Sequence, residues 1–510
     1  MYNVMVINMG LKSIRCIIFN EEGVKLSSSA VSINTAINNR CVEQNPKEWW
    51  IKAKLVMGKA YREAKVKRID FITVTASAAC LVCLDQTGTP LGNALMISDK
   101  RADEEVKFIK AIPEFQEIHK KTNLDISVSL MLPKILWVER KRRDIFEKTK
   151  YFLTPNDYLV YKLCGRCVTD YLNASKYHYD TKEKRYPEVL LEILQIPADS
   201  LPEVVDIGTN VGKIHGNLAE EIGISREAQI IVTSYDAVCS FVGSGVSEEG
   251  EASDVSGTVT VFRTLSRKKE LKRGRKIYNL PYYKENANIV GGSNNLGGGL
   301  IEWVKQCYYQ KEEYPYEIME REAGESELGA RGLVFLPYLL GERTPLWDDN
   351  ARGVFFGLER MHTRKDMTRA VFESTGFIDL DIIEATREIG VDVTSIRLSG
   401  GLARVNLISQ IKADILGKDI FVLSEFETTA SGAAMLALIG QGVYADIKQA
   451  AVKFSLIRMI IKPNLENHKK YAYMYELYKE SYSAMKDLYV RRIQILRQIS
   501  NNKEVQIENL

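Results

Sequence analysis

Short apolar and alternating runs give way to longer amphipathic stretches along this chain, and the change recurs in both halves. Residues 3–9 and 12–20 are β-branched and apolar runs on either side of Gly10, and a third run at 24–33 follows the turn Glu22-Gly23. Such runs bounded by turn residues predict strands. A helix is predicted over 46–64, with Pro46 suited to its first turn. Strands at 70–75 and 80–85 follow, with a turn at 86–90 and helices near 101–111, 133–147, 155–163 and 186–194. The second half repeats this logic, with strands at 230–233, 253–262 and 287–291 and helices at 297–308 and 364–389. A regular series closes it: strand 394–398, helix 404–416, strand 419–423 and helix 429–441. Residues 466–500 carry Tyr, Lys and Arg at helical spacing and read as a closing amphipathic helix. Its basic end, Arg491-Arg492 to Lys503, reads as a solvated face and frayed tail. Alternating strands and helices indicate an α/β protein. The polar, glycine-rich junction Gly243–Gly250 divides it into expected domains 1–246 and 247–510.

Composition narrows the field. The 510 residues are 45% hydrophobic and 26% charged, enough for two large cores. A net charge of +3 gives no reason to expect nucleic acid or an anionic membrane as partner. The start lacks a basic, apolar signal sequence and no apolar run is long enough to span a bilayer, so the expected location is cytoplasmic. Eight cysteines in this length are not a disulfide framework. Cys80/Cys83 and Cys164/Cys167 have the spacing of zinc ligands. Residues three apart on a strand face opposite sides, however, which favours buried thiols over a metal site.

Two glycine turns carry the first chemical signal. Gly10 joins two strands at the start of the chain, and Gly257 joins two more within 253–262. A glycine hairpin leaves backbone N–H groups that can face an anion, because no Cβ blocks a phosphate. A plain structural hairpin explains one copy. Two copies, each opening one half, predict two related domains holding a polyphosphate between them. Asp236 follows the apolar run 230–234 and begins a helix, at the strand-end position where α/β proteins bind ligands. A lone Asp there also reads as a helix N-cap. Gly400-Gly401 and Gly297–Gly299 are further glycine entries to helices, suited to a nucleotide or to close packing alike.

Together these elements resemble the FGGY family of carbohydrate kinases, relatives of the actin, hexokinase and Hsp70 ATPases. The most specific stretch is 332–348, Gly-Leu-Val-Phe-Leu-Pro-Tyr-Leu-Leu-Gly-Glu-Arg-Thr-Pro-Leu-Trp-Asp, continued through 351–358 and His362-Thr-Arg364. It is similar to xylulokinase and gluconokinase members. Residues 42–50, 131–139, Pro155–Tyr158, Thr169-Asp170, Asn173–Ser175, 399–404, Gln410, Ala413-Asp414 and Ser431–Ala434 also fit, so the resemblance spans about 4–445. It implies two ribonuclease H-like domains flanking a central cleft. The first would carry the sugar site, one phosphate hairpin and the catalytic Asp, and the second the nucleotide. It also implies ATP and Mg²⁺ as cofactors and a small carbohydrate as partner, with a homodimer one option.

Position by position, the resemblance makes Asp236 the general base that accepts the sugar hydroxyl proton, and a metal-facing group as well. Gly10, Ser13 and Arg15 keep parts of the first phosphate hairpin, with Lys12 as an added cation, although a solvated turn lysine is the plainer reading of Lys12. Gly257 and Thr258 match the second hairpin, and Gly298, Gly400 and Gly401 the nucleotide-contacting glycines. Ser77, Ala78, Asp99 and Arg101 fall at substrate positions. The departures are specific. Asn8 stands where the family has a metal-facing Asp, and Leu11 where it has a phosphate-facing Thr. Ser77–Cys80 replaces the Gln-Met-His-Gly of xylulokinases, removing hydroxyl-recognising groups. Two functions follow from these residues: an ATP-dependent carbohydrate kinase with altered substrate and weakened Mg²⁺ handling, or a pseudokinase that binds nucleotide or sugar and regulates a partner.

Overall fold

Apolar strands buried on both faces form a central sheet in each of two compact units of this α/β chain. The computed structural model describes residues 1–122, 125–283 and 287–507. One unit comprises Met1–Gly245 with Glu427–Ser455, the other Val246–Phe426 with Leu456–Leu510.

In the first unit, β1 (Asn3–Met9) pairs antiparallel with β2 (Ser13–Asn20), and β2 with β3 (Lys25–Ser32). On its other edge β1 runs parallel to β4 (Phe71–Ala76). Two later strands, β5 (Asn210–Lys213) and β6 (Gln229–Ile231), complete the order β5-β6-β4-β1-β2-β3. The helix Pro46–Ala64 begins with Pro46 because Asn45 caps it, its side chain accepting from Lys47 N at 2.9 Å. Val4–Ile7 and Ile17–Phe19 are almost wholly buried, as a sheet covered on both faces requires.

The second unit repeats the plan. β7 (Glu251–Ser256) and β8 (Thr260–Ser266) form its hairpin. β9 (Tyr278–Pro281) and β10 (Asn288–Ser293) extend the sheet beyond β8. β11 (Ser395–Ser399), β12 (Ile420–Leu423) and β13 (Ile457–Ile461) extend it beyond β7, in the order β9-β10-β8-β7-β11-β12-β13. In both units an antiparallel block, three strands in the first and four in the second, is continued by two parallel strands and an antiparallel edge strand. The long helix Leu465–Ile507 lays Tyr471, Tyr475, Tyr478 and Tyr489 into the second core, with the Tyr338 and Tyr478 hydroxyls bonded at 2.5 Å. The side chains of its end beyond Ile499, including Lys503, lie outside the described residues.

The hairpin expected within 253–262 is present as β7 and β8, while three other expectations need correction. The strand expected at 80–85 extends only over Val82–Leu84. The helix expected at 133–147 is broken at Arg142, whose backbone leaves helical geometry, giving Met131–Lys141 and Arg143–Phe146. The first boundary falls at Gly245, but the chain does not remain in the second unit to its end. Residues 427–455 pack in the first unit because the helix Thr428–Gly440 meets the helix Asp236–Gly243 backbone to backbone. A Cβ on Gly243 would collide with Thr428 O, and one on Gly432 with Cys239 O. Only glycine permits that approach.

Candidate functional site

In the first unit the ends of β1 and β4 lie side by side, and the Ser77 N–H continues their ladder onto Met9 O at 3.2 Å. This brings Ser77 to Asp236, with Ser77 Oγ donating to Asp236 Oδ2 at 3.2 Å. Asp236 is the first residue of its helix rather than the N-cap, which is Tyr235, so the capping reading does not hold. Its Oδ1 accepts instead from Ala237 N at 2.7 Å. Both bonds orient the carboxylate. A buried network supports the same segment: Ser234 Oγ donates at 2.9 Å to Asp170, which also caps Leu172 and Asn173. Burial pushes the Asp170 carboxyl up to about 7.

Beyond Ser77 the chain turns through Ala79 at φ 56°, a left-handed backbone that costs a non-glycine residue on the order of 1 kcal/mol. Lys134, wholly buried on the helix Met131–Lys141, braces it by donating to Ala79 O at 2.5 Å. Burial lowers Lys134 to about 8, and Cys80, Asp99 and Arg101 lie within its electrostatic reach. Burial raises the Cys80 thiol to about 11, against the pull of Lys134, and Asp236 adds to the rise. Asp99 and Arg101 bind each other: Arg101 Nε meets Asp99 Oδ1 at 2.9 Å and Nη2 meets Oδ2 at 2.8 Å. Arg101 also reaches Glu43 at 2.6 Å and lies over the Trp137 ring at 4.8 Å. Ser77, Cys80, Lys134, Asp99, Arg101 and Asp236 thus form one neighbourhood, with Ala78 buried inside it.

The first hairpin stands beside it. Gly10 N donates to Ser13 O at 3.0 Å, and buried Gln44 anchors the turn by donating to Leu11 O at 2.8 Å. A Cβ on Gly10 would touch only Ser13 O, at 3.9 Å, so the protein's own packing does not demand glycine there. Asn8 is buried on β1, paired in the ladder with Arg15 and Thr75, while Leu11 and Lys12 are exposed. Arg15 is engaged by Glu427, with Nη1 at 2.6 and 2.5 Å from the two carboxylate oxygens, and its Nε lies 3.3 Å from Ser13 Oγ. Among the described residues no group of three or more His, Cys, Asp or Glu could hold a metal ion, and Cys80, Cys83, Cys164 and Cys167 form no disulfide.

In the second unit the predicted glycines converge on one hairpin. Gly257 and Thr258 form its turn, and their carbonyls accept from the helix entry: Gly298 N to Gly257 O at 2.7 Å, Gly297 N to Thr258 O at 2.9 Å. A Cβ on Gly298 would sit 2.8 Å from Gly257 O. Gly400, at φ 87°, would place one 2.5 Å from Ser256 O. Packing therefore demands glycine at 298 and 400. Gly257 and Gly401 are different, since a Cβ there would meet only ordinary contacts at 3.8 and 3.9 Å. The stretch 341–348 buttresses this region: Arg343 Nη2 donates to Asn294 O at 2.7 Å, and Asn294 Oδ1 accepts from Thr260 N at 2.9 Å.

Several of these residues escaped the sequence reading. Gln44, Lys134 and Asp170 stood inside family-like stretches, but nothing there specified their roles. Glu427 lies 412 residues from Arg15, with no local signal of the pairing.

Comparison with known proteins matches this architecture to one family. Residues 3–243 match the FGGY family of carbohydrate kinases, N-terminal domain, and residues 253–440 its C-terminal domain. A xylulose kinase of Bacillus subtilis is 28% identical over 493 residues, covering 94% of this chain and 97% of that protein. A glycerol kinase of Streptococcus pyogenes is 29% identical over 483 residues, covering 92% and 93%. The crystal structure of gluconate kinase from Lactobacillus acidophilus superposes with a TM-score of 0.87 at 24% identity, covering 96% of this chain and 99% of that one. With both domains of the family matched over most of its length, and the glycine hairpins repeated in both units, the chain belongs to the FGGY family of carbohydrate kinases.

Proposed function

We propose that this protein phosphorylates a hydroxyl group of a small carbohydrate (a ketose, polyol or sugar acid) with ATP, using Asp236 as general base. The observation that carries the reading is the Asp236 carboxylate, oriented by Ser77 Oγ and Ala237 N at the strand ends of a sugar-kinase domain. A hydroxyl placed there would give up its proton as the phosphoryl group arrives.

ATP, when bound, supplies the γ-phosphoryl group. The residues that suit it are the open turns: Gly10 and Gly257 leave space where a Cβ would stand, and Gly401 does the same after β11. Lys12 and Thr258 stand at those turns, and Ser13 and Arg15 on the strand β2 that follows the first. Asn8 and Asp236 would face Mg²⁺. One amide and one carboxylate suit a metal held mainly by water and phosphate oxygens.

On the substrate side, Ser77, Ala78 and Cys80 are small and buried, and Asp99 and Arg101 are committed to each other. Such side chains offer little to bond sugar hydroxyls, which disfavours xylulose itself. The test is ADP release across pentuloses, hexuloses, polyols and aldonates, with the Asp236→Ala variant beside the parent. A positive sugar whose turnover survives Asp236→Ala would remove Asp236 from the mechanism. The second reading, a pseudokinase, is favoured by uncharged Asn8 and by Leu11. A blank screen with measurable ATP binding would select it.

A further inference from the structure

Three charged side chains meet in the interior of the second unit, directly behind its hairpin. Lys412, wholly buried on the helix Asn406–Leu416, donates to Asp254 Oδ2 at 2.5 Å, to Asp379 Oδ2 at 2.6 Å and to Ser256 Oγ at 3.2 Å. All three ammonium protons are therefore directed, each to a different side chain. Asp254 and Ser256 belong to β7, and Asp379 to the helix Arg364–Glu388. Ser256 Oγ in turn donates to Asp254 Oδ1 at 2.6 Å, and its carbonyl lies under Gly400. The next two residues are Gly257 and Thr258.

The group is chemically expensive. Burial would lower the Lys412 pKa, but Asp254 and Asp379 outweigh it and hold the ammonium above its ordinary value. Burial and the Asp254 charge push Asp379 well up, and its Oδ1 has no hydrogen-bond partner among the described residues. A proton on that oxygen would leave the group neutral. The fold itself does not require this arrangement. In the first unit the same ladder position, two residues before the last paired residue of the hairpin strand, is the wholly buried Ile7. One hairpin thus rests on hydrocarbon and the other on a hydrogen-bonded ion group. Buried ion groups stabilise little compared with apolar replacements, and their better attested use is to fix one geometry among several.

We infer that Lys412 is a positioning residue of the second phosphate hairpin, holding Asp254 and Ser256 so that Gly257 and Thr258 keep one orientation toward the nucleotide's phosphates. This rests on the kinase reading above. Two variants test it. Ser256→Ala cuts the link between the ion group and the turn while leaving the three charges paired. Lys412→Met with Asp254→Val and Asp379→Ala removes all three charges at nearly conserved volume, avoiding the unfolding expected if one charge were left alone. ATP binding by calorimetry, the KM for ATP and for the carbohydrate, and hydrogen exchange at the Gly257 and Thr258 amides are measured in both. The expected result is ATP affinity weakened about tenfold or more, faster exchange at those two amides, an unchanged carbohydrate KM and parental melting. A general loss of structure would move both KM values together. Parental ATP affinity and exchange in both variants overturns the positioning role and leaves the kinase reading standing. A parent that binds no ATP overturns both. Faster amide exchange accompanied by unchanged ATP affinity would show the turn loosened without consequence and also refutes the inference.

Discussion

His178 offers a prediction whose size can be worked from the structure. It lies in the first unit at φ 62°, 1% exposed, with its ring edge-on to Phe115 at 5.7 Å. Neither ring nitrogen has a hydrogen-bond partner among the described residues. Burial lowers its pKa from 6.5 to about 4; Asp125 pulls the other way, and His119 and Lys176 add to the fall. The unfolded chain therefore takes up a proton near 6.5 that the folded protein refuses until about 4. Stability must then fall as pH drops through that window, by about 1.4 kcal/mol per unit and by roughly 3 kcal/mol over the whole of it. Asp170 and Asp157 in the same unit act with the opposite sign, because burial raises them to about 7 and about 6. They bind protons in the folded state first, and their protonation stabilises it as pH falls. The parent's own pH profile mixes these contributions, so the informative quantity is its difference from His178→Phe, which keeps a ring and removes the titration. Two units need not unfold together, so the assay is hydrogen exchange read on first-unit peptides at pH 7.5 and pH 5. Between those values the parent should lose about 2 kcal/mol more than the variant. Equal losses would show that His178 is not held neutral, and the argument from its burial would fail.

Other expectations concern the site and its supports. Ser77→Ala removes one hydrogen bond to the Asp236 carboxylate and should lower kcat for the best carbohydrate by roughly tenfold; an unchanged kcat would remove Ser77 from the orienting role. Asn8→Asp combined with Leu11→Thr should reduce the Mg²⁺ concentration needed for half-maximal turnover, and an identical Mg²⁺ titration in parent and variant would refute the metal assignment at Asn8. Gly432→Ala places a Cβ against Cys239 O on the helix that begins with Asp236. It should cost on the order of 3 kcal/mol, seen as a clear fall in melting temperature together with lost activity; parental melting would mean that the two helices can separate freely.

What the sequence reveals, and what it conceals, follows from the range of the forces involved. The strands around Gly10 and Gly257 are legible because a fully covered sheet demands continuous apolar side chains, as at Val4–Ile7. The position of Asp236, after an apolar strand and at a helix start, is legible in the same way, although its rank as first helical residue rather than cap is set by the fold. The return of residues 427–455 to the first unit is not legible in the same way. Thr428–Gly440 reads correctly as a helix, but which sheet a helix covers depends on Gly243 and Gly432 meeting, and each glycine alone is only a poor helix former.

The charged interior is hidden for a deeper reason. Pattern reading assigns Asp254, Asp379 and Lys412 to the surface, since an isolated buried charge is prohibitive. All three are wholly or almost wholly buried, and each is tolerable only because the other two are present. A condition set by partners 33 and 158 residues apart leaves no trace in any local window. The same holds for Arg15, which the family resemblance would make a phosphate-side cation while the structure shows it bonded to Glu427. Local sequence specifies that a charge stands at the turn. Only the fold specifies what that charge must release before it can meet a ligand. If Arg15 is to serve a phosphate, the anion must compete with a carboxylate held at 2.5–2.6 Å, an exchange of one charged partner for another rather than the filling of an empty site.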